Sequence, residues 1–295
     1  MYAPIETHEE DARPQSIRVG YRALTGTAWL SMILFGVFTL GHYLRRAWIA
    51  QNADEWKDAW DDTDPGLYRP QHTGANRLMI LHFVGGISLM FLGPIQLIPF
   101  MRRHYLDWHR ILGRIYIGSA LLAACGATLF VLLYGTSRDD KIEDYGNILF
   151  GSLVILCAAE SYRHAAYTKK IERHKLWSWR LFALIFGAVL YRLYVTIYFA
   201  FVLFASWEGN AILYESLYFL FYLPNLLVVA VLWRYQDRQG ESDEQRHKAK
   251  VTEMSFLVLC ILFLSTTTAI IFLYGWLPAI LGLESTQSGL SELNG

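Results

Sequence analysis

The feature that most restricts this chain is its series of long apolar stretches. A helix needs roughly 20 mostly apolar residues to cross the hydrocarbon of a bilayer. Seven stretches reach that length, at about 23 to 44, 78 to 100, 112 to 134, 146 to 166, 177 to 205, 213 to 233 and 254 to 276. The expected fold is therefore an all-α polytopic membrane bundle of about seven transmembrane helices. Composition agrees, since charged residues make up 18% of the 295 where a soluble domain carries about 25%. The 26 Lys and Arg equal the 26 Asp and Glu, which removes the basic footprint of a nucleic-acid binder. Cys125, Cys157 and Cys260 stand singly in apolar surroundings, so no zinc spacing or disulfide framework can be read.

Lys and Arg set the expected orientation. With the N-terminus inside, 18 fall on the inner side, seven outside and one, Arg192, in mid-membrane. The positive-inside rule then places the N-terminus in the cytoplasm and the C-terminus outside. Residues 1–22 form a polar tail, 23–276 a single transmembrane domain and 277–295 a second polar tail. The first 22 residues hold Glu6, Glu9, Glu10 and Asp11, unlike a secretory signal, so the first helix is expected to stay on the mature protein. The outer loop 45–77 carries Trp48, Trp56 and Trp60, which suits a segment lying at the headgroups. Its Asp54, Glu55, Asp58, Asp61, Asp62 and Asp64 lack the pattern of a calcium loop and read as a solvated face.

On the second span His82, Gly85, Gly86, Leu89, Gly93 and Gln96 recur at helical spacing, giving one face with three glycines and two polar groups. Such a face belongs inside the bundle, serving close helix contact, a binding site, or both. Pro94 is expected to kink the span. The inner junction that follows reads Arg102, Arg103, His104, Trp108, His109, Arg110, Gly113, Arg114, Tyr116, and the junction before the fifth span reads Arg173, His174, Lys175, Trp177, Trp179, Arg180. Both spans start on the inner side, so His109 and His174 are expected at one depth, where they could meet across the bundle. The neighbouring Lys and Arg are explained by the positive-inside rule alone; the histidines are not.

Arg192 is the costliest residue, because even a lenient scale charges about 2.5 to 3.5 kcal/mol for an arginine at the centre of a span. It should have a buried partner, and Glu160 on the fourth span is the expected one, as a functional pair or as an ion pair that fixes helix register. Pro224 and Asn225 fall near the middle of the sixth span, where proline frees a carbonyl and asparagine supplies a polar group.

The run Leu81-His82 through Gly93-Pro94-Ile95-Gln96, then Arg103, then His109-Arg110-Ile111-Leu112-Gly113-Arg114-Ile115-Tyr116, resembles a family of predicted multi-spanning membrane proteins known as domain of unknown function 2306. His174-Lys175-Leu176-Trp177-Ser178-Trp179-Arg180, Arg192 within Leu190-Tyr191-Arg192-Leu193, and Leu223-Pro224-Asn225-Leu226-Leu227 extend the likeness to about 78–234. Where that family usually has His-Arg-x-Trp-Met, this chain has Lys175 and Ser178. The resemblance implies a helical membrane fold and supplies no reaction.

Three functions compete. One is a polar cavity in which His82, Gln96, Arg114, Arg180, Arg192, Glu160 and Asn225 bind or act on a small anionic molecule or lipid headgroup, with histidine exchanging a proton. In that reading His82, Arg192 and Glu160 do the chemistry, and Gln96 and Asn225 hold substrate. The second is a b-type haem oxidoreductase with His109 and His174 as axial ligands to the iron and Arg110, Arg114 and Arg180 on the propionates. A second haem lacks a partner for His82, since only His42 lies at similar depth. The third is a non-catalytic accessory protein of the bilayer.

Overall fold

The computed structural model describes residues 15–52, 72–136, 141–204, 211–236 and 243–273, and every element among them is helical. In chain order these are α1 (Gln15–Asn52), α2 (Thr73–Leu97), α3 (Pro99–His104), α4 (Leu106–Tyr134), α5 (Lys141–Ala166), α6 (Ile171–Phe204), α7 (Ala211–Leu220), α8 (Leu223–Gln236) and α9 (Asp243–Ile271). Trp56, Trp60 and the acidic run from Asp54 to Asp64 lie outside the described residues, as does the structure around the Trp48 side chain.

Five of these helices contain segments long and apolar enough to cross a membrane: Arg22–Gly41, Thr73–Leu97, Leu106–Tyr134, Lys141–Ala166 and Ile171–Tyr198. The sixth candidate span is a helix pair, Ile212–Leu220 and Leu223–Ala230, bent by 44°, which counts as a sixth crossing when the two are taken as one. The seventh expected span coincides with α9, whose apolar part among the described residues is Val258–Ile271. The protein is thus an all-helical, multi-pass membrane bundle.

Glycine and alanine set how closely the central helices approach. A Cβ on Gly85 would lie 2.6 Å from the Ser119 carbonyl, and one on Gly126 would lie 2.6 Å from the Leu78 carbonyl, so α2 and α4 touch backbone to backbone. Without a hydrophobic gain between helices in lipid, such close contact supplies the attraction. The faces left over form a core of Met32, Leu89, Ala120, Val154, Leu184 and Tyr222, contributed by α1, α2, α4, α5, α6 and the α7–α8 break. α9 joins α1 through a buried contact between the Ser31 and Thr268 hydroxyls at 2.9 Å.

Two prolines break the chain by different means. Pro94 stays inside α2, and the helix ends four residues later at Ile98, which has an extended ψ of 116°. Ile98 precedes Pro99, and the proline ring disfavours helical backbone in the residue before it. The visible break therefore belongs to Pro99, which opens α3. In the sixth span Pro224 occupies the first turn of α8, where its missing N–H leaves nothing unsatisfied. Asn225 Nδ2 then donates to the Phe221 carbonyl at 2.9 Å and to the Ala183 carbonyl of α6 at 3.2 Å. The amide closes the break and ties it to α6.

Candidate functional site

The ends of α2 and α5 meet the starts of α4 and α6 at one end of the bundle, and that end carries Arg102, Arg103, Arg110, Arg114, Arg163, Arg173 and Arg180. We refer to it as the basic end. The break at Ile98 turns the chain through α3 and back into α4, which brings the last turn of α2 against the first turns of α4. With its amide oriented so that both ends are satisfied, Gln96 donates from Nε2 to His109 Nδ1 at 2.9 Å and accepts at Oε1 from the Gly113 N–H at 3.1 Å. His109 Nδ1 is then an acceptor, and the proton of the neutral ring sits on Nε2.

His174, in the first turn of α6, is held with the opposite sense. Its Nδ1 lies 2.9 Å from the Ser161 carbonyl, which can only accept, so Nδ1 carries the proton. Its Nε2 keeps a free lone pair and makes no hydrogen bond among the described residues. Ser161 is buried, and its hydroxyl lies 2.8 Å from that of Ser178 and 3.2 Å from His174 Nδ1. Ser178 is one turn after His174, which places its hydroxyl beside the histidine, 3.5 Å from Nδ1. His109 and His174 lie within electrostatic range of each other, with Arg102 and Arg110 also near His109. Both histidines lie at the basic end, in the first turns of α4 and α6.

The other cations of this end differ in what they do. Arg110 pairs with Asp107 at 3.1 Å, both exposed. Lys175 pairs with Glu172 at 2.7 Å. The Arg180 guanidinium lies 4.4 Å over the Trp177 ring, where an aromatic face favours a cation. Arg114 makes no ion pair or hydrogen bond among the described residues and lines a groove between α4 and α5.

Arg192 is not joined to Glu160, which corrects the expectation from sequence. Glu160 is bonded by Arg163 at 2.6 Å and lies 3.3 Å from His164, both on its own helix at the spacing that places side chains on one face. The reason lies in where α6 begins. Its first turns start at Ile171, directly after the tight turn that ends α5, so Arg192 sits about 32 Å along α6 while Glu160 sits about 9 Å from the end of α5. That leaves about 22 Å between them along the bundle axis, far beyond an arginine's reach. Arg192 is instead exposed on the bundle, with its guanidinium 5.3 Å from the Tyr191 ring and within electrostatic range of His82. His82 donates from Nδ1 to the Ala123 carbonyl at 3.0 Å across the α2–α4 contact.

The residues proposed from sequence therefore fall into separate places. Gln96 and His109 are joined, with His174 nearby; His82 and Arg192 lie nearer mid-span, within electrostatic range of each other; Asn225 is engaged at the α7–α8 break. Sequence reasoning passed over Ser161, His164, Glu143 and Tyr218. Tyr218 donates to Glu143 at 3.1 Å near the opposite end, and His164 is buried between Glu160 and Thr168, 2.9 Å from the Thr168 hydroxyl. Ser178 was legible as a partner because it follows His174 by four residues; nothing in the sequence marks Ser161.

No curated protein and no solved structure matches the chain. Residues 79–233 match the predicted membrane protein family DUF2306, and that segment contains Gln96, His109, Ser161, His174 and Asn225. The match spans just over half of the chain, and the protein belongs to this family of membrane proteins.

Proposed function

We propose that the basic end binds a small oxyacid anion, a carboxylate or phosphate, and that His109 and His174 exchange a proton with it. The observation that carries this reading is the pinning of two nearby histidines in opposite tautomers. His109 offers an Nε2–H donor and His174 an Nε2 acceptor. A ligand that holds one charged oxygen and one hydroxyl matches such a pair, and Arg180 supplies fixed positive charge on the same helix as His174. The excess of Lys and Arg supports a cytoplasmic location for this end.

The residues do not fit a bis-histidine haem equally well. His174 has the support expected of an axial ligand, an Nδ1–H bonded to a carbonyl with Nε2 free. His109 accepts at Nδ1 from Gln96, which leaves its Nε2 protonated and unable to bind iron without reversing that bond. The anion reading needs no such reversal.

The test is calorimetry on purified protein in detergent, with inorganic phosphate and acetate as probes, repeated in buffers of different ionisation enthalpy. Saturable heat that varies with buffer is expected, because the histidines take up or release a proton. His174→Ala should reduce the buffer dependence, whereas Arg180→Gln should weaken binding and keep it. Absence of saturable binding by phosphate, or an unchanged buffer dependence in His174→Ala, would overturn the proposal and leave an accessory role.

A further inference from the structure

A groove of about 820 Å³ runs along the outside of the bundle between α4 and α5 at the basic end. Its wall is apolar, formed by Ile117, Gly118, Leu121 and Ala159, and its mouth carries Arg114, Arg163, Tyr162, Tyr167 and Thr168. The volume lies within the roughly 300–1,000 Å³ of small-molecule sites. Gly118 shapes it, since a Cβ there would meet nothing within 4 Å. The side chain is missing at the point where a slender apolar occupant would lie.

The charge at the mouth is not balanced. Glu160 engages Arg163 and lies beside His164. Arg114 has no carboxylate among the described residues, and Lys170 and Arg173 lie within electrostatic range of His164 on the same side. Tyr162 and Tyr167 meet edge to face with ring centres 5.9 Å apart, the kind of aromatic pair found where hydrocarbon gives way to headgroups. An apolar trough that ends in a surplus of positive charge at headgroup level complements one class of molecule.

We propose that this groove holds an anionic phospholipid, with its phosphate on Arg114 and an acyl chain along Ile117, Gly118 and Leu121. The site is separate from the His109–His174 pair and does not rest on that reading. Arg114 selects for negative headgroup charge, and the Gly118 gap admits the chain.

The experiment is native mass spectrometry of the protein from nanodiscs holding equal phosphatidylglycerol and phosphatidylcholine, with mass in detergent checked by light scattering. Wild type should retain phosphatidylglycerol at least about fivefold over phosphatidylcholine, a difference of roughly 1 kcal/mol. Arg114→Gln should retain lipid and lose the preference. Gly118→Leu, whose Cβ meets nothing within 4 Å, should fill the trough and lose bound lipid of both kinds while keeping its unfolding temperature. Equal retention of the two lipids by wild type overturns the proposal, as does full phosphatidylglycerol retention by both variants. So does a dimer that Gly118→Leu converts to monomer with no lipid bound, since a second copy would then occupy the groove.

Discussion

Gly85 and Gly86 are adjacent in sequence, and substituting each by alanine should change stability in opposite directions. At Gly85 the new Cβ would lie 2.6 Å from the Ser119 carbonyl oxygen and 2.8 Å from the Ala123 amide nitrogen. Both neighbours are backbone, so no rotamer change relieves the overlap, and ordinary contact requires the helices to part by about 0.8 Å. Overpacking of this kind costs about 1–3 kcal/mol. The same movement stretches the 3.0 Å bond from His82 to the Ala123 carbonyl, a further loss of about 0.6–1 kcal/mol. Alanine's better helix propensity returns up to about 1 kcal/mol. Gly85→Ala should therefore destabilise by about 1–3 kcal/mol. A Cβ on Gly86 meets nothing within 4 Å, so Gly86→Ala should be neutral or stabilise by up to about 1 kcal/mol. Reversible unfolding in mixed micelles, followed by tryptophan fluorescence, measures both. Equal effects of the two substitutions, or a Gly85→Ala protein as stable as wild type, would refute the close α2–α4 contact.

Further expectations concern single polar groups. Asn225→Leu strips donors from the Phe221 and Ala183 carbonyls and should destabilise by about 1 kcal/mol in the same assay; no change would mean that the amide does not hold the α7–α8 break. Tyr116 has a buried hydroxyl with no hydrogen-bond partner among the described residues, so Tyr116→Phe should leave stability unchanged or raise it by up to about 1 kcal/mol. A marked loss would reveal a partner for that oxygen. Ser161→Ala removes the hydroxyl beside His174 and keeps the carbonyl, so nitrogen-15 NMR of His174 should still show the proton on Nδ1. A switch to the Nε2–H tautomer would show that the hydroxyl, not the carbonyl, sets the ring.

Much of the scaffold was legible because apolar length and helical period are local properties. Of the stripe from His82 to Gln96, His82, Gly85 and Gly93 face neighbouring helices while Gly86 does not, and Gln96 meets His109 because the Ile98–Pro99 break folds α4 back along that stripe. The Glu160–Arg192 pair failed because span limits were drawn from apolar residues. α6 begins at Ile171, six residues before the apolar stretch, and its extra turns carry Glu172, Arg173, His174 and Lys175. Those charged turns contribute length that hydropathy does not register, so a span limit drawn at 177 leaves about 9 Å of α6 out of the count. Ser161 was out of reach for another reason. A serine that offers its backbone carbonyl to another helix has no signature of its own, because the bond depends on which face of α5 meets α6.

The balance of charge at the basic end can be followed residue by residue. Asp107 answers Arg110, Glu160 answers Arg163 and Glu172 answers Lys175, each acid three residues before its base on the same helix. Such pairs form wherever a helix places opposite charges one turn apart and contribute only about 0.2–0.5 kcal/mol. Their consequence is electrostatic, since they remove three cations from the set available to an anion. Arg114 and Arg180 remain without a described carboxylate, one at the mouth of the outer groove and one over Trp177 beside the His174 helix. The positive-inside rule treats all of these charges alike; their partners divide them into cations paired within their own helix and cations without a described carboxylate. If that division is right, Arg110→Gln should leave both anion heat and lipid preference unchanged, while Arg114→Gln alters only the lipid and Arg180→Gln only the heat. A loss of both from any one of the three would show a single continuous field in place of two separate sites.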